Sequence, residues 1–91
     1  MIDDLISTLE VVRDAVWAKD KEKGFEAITI FLMQFLEVFG HSSRFMSKMF
    51  PILEELKNQI QVGNFEEANS GVLALLVRLR QVEEAMTEPK E

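Results

Sequence analysis

Apolar residues recur every three to four positions through four stretches of this chain, and none of those stretches shows the two-residue alternation of a strand. That periodicity points to an all-α fold. At about 100° per residue, Ile2, Leu5, Ile6, Leu9, Val12 and Val16 share one face of a first helix over residues 2–19. Asp3 and Asp4 fall in its first turn, where the helix dipole favours negative charge. The polar run from Lys19 to Lys23 interrupts the pattern, and Gly24 is expected to make the reversal into a second helix over 25–39, with Gly40 as its C-terminal cap. A third helix, 43–62, starts at Ser42 or Ser43 and aligns Phe45, Met49, Ile52, Leu53, Leu56 and Ile60. Pro51 lies inside it, which predicts a kink, or a break near residue 50. Gly63 stops that helix, while Asn64 followed by Glu67 reads as the capping box of a fourth, 65–86, striped by Phe65, Ala68, Val72, Leu75, Leu76, Leu79, Val82 and Met86.

Short connections make successive helices antiparallel, so the expected architecture is an up-down-up-down four-helix bundle. Residues 1–87 form one domain in this reading, and 88–91 a frayed tail. Without cysteine the fold must rest on packing, as suits a reducing compartment. The start, Met1-Ile2-Asp3-Asp4-Leu5, has acids where a secretory signal carries cations, and the expectation is a cytoplasmic, full-length protein. A formal net charge of -6 argues against nucleic acid as a partner, since such binding needs cations that displace phosphate counterions. It disfavours anionic membrane surfaces equally. The longest apolar stretch, Phe25 to Phe39, still contains Glu26, Gln34 and Glu37 and falls short of the roughly 20 residues a bilayer requires.

Two turns share a pattern. Gly63-Asn64-Phe65-Glu66-Glu67-Ala68 follows Leu53, Leu56 and Ile60, much as Gly24-Phe25-Glu26-Ala27 follows Leu9, Val12 and Val16. These turns resemble those of small bacterial helical-hairpin proteins, including tetratricopeptide-type hairpins and flagellar export chaperones. The repeated turn points to two stacked hairpins, and the resemblance implies a chaperone-like contact with an amphipathic helix. It carries no functional residue with it, and the tetratricopeptide spacing and its Trp-Leu-Gly-Tyr signature are missing.

No constellation for catalysis, cofactor or metal stands out, so the chain reads as a non-enzyme. His41 is the only histidine and has no ligand-spaced partner, which makes it a loop residue. Ser42 and Ser43 suit capping better than nucleophilic attack, which would need an oriented base. The pairs Glu54-Glu55, Glu66-Glu67 and Glu83-Glu84 diverge by about 100° on a helix and do not converge on one site.

Helix two carries the functional signal. Phe31, Phe35 and Phe39 centre an apolar arc that also takes in Phe25, Ile28, Leu32, Leu36 and Val38, wider than the roughly 100° stripe of a surface helix. The expectation is a helix covered on more than one side. Ile30 and Met33 lie beyond that arc, Val11 opposite the apolar face of helix one, and Leu73 and Val77 outside the stripe of helix four. Trp17, near Arg13, is either a binding anchor or a core-edge residue with its indole N–H satisfied. Together, Ile30, Met33, Leu73, Val77, Val11 and Trp17 form a candidate interaction surface, with a homodimer as the first expectation and another protein's amphipathic helix as the second. The alternative is a carrier of a lipid or other apolar small molecule in a cavity lined by Phe and Met.

Overall fold

The computed structural model describes residues 2–40 and 43–87. Four helices follow in order, α1 (Ile2–Trp17), α2 (Lys21–Phe39), α3 (Ser43–Gln61) and α4 (Phe65–Thr87). No strand occurs among the described residues. Each helix packs on its sequence neighbours and α4 returns to α1, closing an antiparallel four-helix bundle. His41, Ser42 and the tail 88–91 lie outside the described residues, as do the side chains of Ser43, Phe45, Met46, Met86 and Thr87.

Every helix buries a single stripe. Leu5, Leu9, Val12 and Val16 face Ile28, Phe31 and Phe35 across the core, and Met49, Leu53, Leu56 and Ile60 face Val72, Leu75, Leu76 and Leu79. Spacings of three and four residues keep each set on one side of its helix, where fully burying an apolar side chain contributes about 1.5–3 kcal/mol. Two residues assigned by periodicity to buried faces are instead exposed: Leu36 and Ile52, at 49% and 42%. Leu36 sits roughly 140° around α2 from Phe31, past the edge that either neighbouring helix can cover. α3 runs unbroken through the exposed Pro51, so the chain does not split near residue 50.

The helix ends explain where the first hairpin departs from expectation. Lys19 adopts φ 56°, the left-handed conformation, and the amides of Lys19 and Asp20 donate to the carbonyls of Val16 and Ala15 at 3.0 and 2.9 Å. That pair of bonds is the Schellman closure of a helix. Asp20 then caps α2, accepting from the Lys23 amide at 3.1 Å. The reversal therefore occurs at Lys19, five residues before Gly24, and α2 begins at Lys21 rather than Phe25.

Gly24 does other work. It is buried within α2, where a Cβ would lie 3.2 Å from Ile60 Cγ2 and 3.7 Å from Ala15 Cβ, so its missing side chain lets three helices approach closely. The second hairpin closes as expected: Gly63 has φ 81°, the Gly63 and Asn64 amides donate to Ile60 and Gln59, and α4 starts at Phe65. Structurally, then, Lys19-Asp20 is the counterpart of Gly63-Asn64, and the shared Phe-Glu-Ala pattern stands at different depths in α2 and α4. Gly40 is a C-cap without the left-handed turn, at φ -59°. There a Cβ would collide with the Leu36 carbonyl.

Candidate interaction face

α2 contacts α1 along one flank and α3 along the other, and its core side is a narrow line of Gly24, Ala27, Ile28, Phe31 and Phe35. No other described helix covers its outer side. α2 is thus covered on more than one side, as its broad apolar arc implies, but a helix in a four-membered ring has only two adjacent neighbours and its outer side stays open. Across the outer side run Ile30, Met33 and Leu36, spaced i, i+3, i+6 and exposed by 45%, 61% and 49%. A leucine, an isoleucine and a methionine in one diagonal row differ from the scattered apolar residues that any monomer surface shows.

Register extends the row onto both neighbours. Thr8 Oγ1 donates to Gln34 Oε1 at 2.7 Å, pairing α1 with α2. Three residues further along α1, and four back along the antiparallel α2, the exposed Val11 and Ile30 come level on the outside of the same groove. On the other flank the Lys57 ammonium lies 5.5 Å from the centroid of the Phe25 ring. Seven residues on in each direction, Leu32 stands level with the exposed Phe50. The apolar track therefore crosses three helices, from Val11 through Ile30, Met33 and Leu36 toward Phe50. Periodicity alone placed Leu36 in the core and passed over Phe50; the antiparallel register is the signal that joins them.

The other three candidates belong elsewhere. Trp17 lies at the seam between α1 and α4, roughly on the opposite flank of α1 from Val11, and the exposed Leu73 and Val77 lie on α4 outside its buried stripe. Trp17 is 58% exposed, yet its indole N–H donates to Asn69 Oδ1 on α4, and the Arg13 guanidinium sits over its ring at 4.8 Å. Further along the seam Arg80 Nη2 donates to Glu10 Oε2 at 3.1 Å. Beyond that, Asp3 meets Glu83. A side-chain hydrogen bond with Asp3, reinforced by its charge, holds the Glu83 carboxyl above its ordinary value, while Arg80 pulls the other way. Of the two readings of Trp17, the geometry fits the residue that ties helices together. The six candidates thus divide into two groups of three, with Val11, Ile30 and Met33 on the α1/α2 side.

Of the phenylalanines expected to line a cavity, Phe31 and Phe35 are packed into the core and Phe25 borders a surface depression. Phe31 and Phe35 are buried to 0% and 1% exposure and pack ring against ring at 6.0 Å, with Phe39 following Phe35 at 4.9 Å. A depression of about 620 Å³ opens on the outer side of α2 among Lys21, Glu22, Phe25, Glu26, Thr29, Ile30 and Gln61. Its rim mixes charged and apolar groups and is continuous with the exposed row at Ile30.

Among the described residues, no helix is long and apolar enough to cross a membrane, and no group of three or more His, Asp or Glu side chains is placed to hold a metal ion. Compared with protein-family models, with curated proteins and with solved structures, the chain matches none.

Proposed function

We propose that this chain is a small cytoplasmic interaction or adaptor protein, not an enzyme, and that it contacts other protein through the outer face of α2. The observation that carries the reading is the row Ile30, Met33 and Leu36, exposed on a helix whose core side is already satisfied by Phe31 and Phe35. Keeping such side chains in water brings the fold no stability, so their concentration on one face is better accounted for by a contact that buries them. A second copy of the chain, or an amphipathic helix held in chaperone-like fashion, would each cover the face.

Site-specific photocrosslinking in the cell tests this directly. A benzoylphenylalanine at position 33 should give discrete protein adducts, and the same group at position 77, comparably exposed but on α4, should give none. Adducts from 77 alone, or from neither position, would remove the reading.

A further inference from the structure

The outer face of α2 has a charge pattern as well as an apolar row. Glu22, Glu26 and Glu37 on α2, Asp4 on α1 and Glu54 on α3 are all exposed on the side of the bundle that bears Ile30, Met33 and Leu36. Asp4, Gln34, Glu37 and Val38 border one shallow depression beside the row, and Glu22 and Glu26 border the larger one. The cations of this side are Lys21 and Lys23, both in the first turn of α2, and Lys57, which is engaged with the Phe25 ring. Among the described residues, the charged groups beside the middle and C-terminal half of the row are therefore carboxylates. An interface works by complementary potentials, and like charges brought face to face oppose association.

We infer that the occupant of this face is a basic amphipathic helix of another protein, its apolar stripe on Ile30, Met33 and Leu36 and its lysines or arginines against Glu26 and Glu37. A second copy of this chain fits the charge less well. A two-fold contact through α2 would set two such carboxylate margins against each other, on chains that each carry a net charge of -6. For a basic helix the same margins attract. Met33 at the centre of the row has an unbranched, adaptable side chain suited to helices of differing sequence. The inference rests on the proposed use of the α2 face and adds the chemistry of its partner.

The probe is a fluorescent leucine–lysine peptide with helical amphipathic spacing, compared with its leucine–glutamate counterpart and titrated with the intact protein, alongside native mass spectrometry over a dilution series. The lysine peptide should bind one to one and the glutamate peptide should not. Met33→Gln and Leu36→Gln leave the charge unchanged, and each should weaken binding by about tenfold or more. Glu26→Gln with Glu37→Gln should weaken it too and flatten its salt dependence. If binding of the lysine peptide survives Met33→Gln and Leu36→Gln, it is attraction to an acidic protein and the inference falls. A dimer that Met33→Gln dissociates, with neither peptide bound, would keep the α2 face as a contact surface but give it to a second copy. A monomer that binds neither peptide would overturn both.

Discussion

The α1/α4 seam and the outer face of α2 expose comparable apolar side chains, but they use them differently. Along the seam, Trp17 is hydrogen-bonded to Asn69 and stacked by Arg13, and Glu10 pairs with Arg80 across the helices. Exposure there is the outer edge of a structural joint. On α2 the exposed Ile30, Met33 and Leu36 form a row with carboxylates at its margins and the core on the far side of the same helix. Fractional exposure does not separate the two regions, since Trp17 at 58% and Met33 at 61% are nearly equal. What separates them is whether the side chain's polar and aromatic surroundings come from the chain itself.

The largest effect should appear within α2, between two residues one turn-half apart. Phe31→Ala removes a fully buried ring and should cost about 3–5 kcal/mol in denaturant unfolding, enough to threaten a domain of this size. Met33→Gln should change stability by no more than roughly 0.5 kcal/mol while removing binding, as expected of an exposed position. If both substitutions destabilise alike, α2 has no free face.

On the seam the expectation reverses. Trp17→Ala deletes a hydrogen bond and a cation–π contact, and it should cost about 1–2 kcal/mol in the same unfolding measurement while leaving peptide binding intact. Loss of binding with unchanged stability would move the functional surface to the seam.

Two smaller predictions concern the joints at the ends of these regions. Lys19 holds a left-handed conformation that glycine adopts without steric cost, so Lys19→Gly should stabilise the protein by about 1 kcal/mol, read as a higher midpoint of unfolding. Glu83 has its pKa raised by Asp3, which means the fold disfavours its ionised form near neutral pH. The raised value makes protonation more favourable folded than unfolded, so stability is lost as pH rises through the carboxylate range and recovered as it falls. Glu83→Gln should therefore raise the thermal midpoint slightly at pH 7, and that advantage should fade as pH is lowered until wild-type Glu83 is protonated.

Most of the bundle was legible in the pattern of residues, because burying a single stripe per helix is what produces a period of three and four. The end of α3 was legible for a similar reason: Gly63 and Asn64 are the residue types that a left-handed cap and an N-cap favour. The first hairpin was not, since Lys19 takes the left-handed turn without being glycine, while the glycine that suggested a turn, Gly24, is buried where α1, α2 and α3 meet. The candidate face was half legible. Ile30, Met33 and Val11 stood out on a wheel, but a wheel has no neighbours. It could not show that Leu36 falls past the reach of α1 and α3, or that α4, which bears Leu73 and Val77, packs on α1 and α3 and not beside Met33.

The division between seam and face is tested most directly by methyl-resolved NMR of the intact protein during titration with the leucine–lysine peptide. The account predicts that the methyl signals of Ile30, Met33, Leu36 and Val11 shift together and saturate at one equivalent, while those of Leu73 and Val77 stay in place. Shifts that centre on Leu73 and Val77, or that spread evenly over both groups, would contradict it.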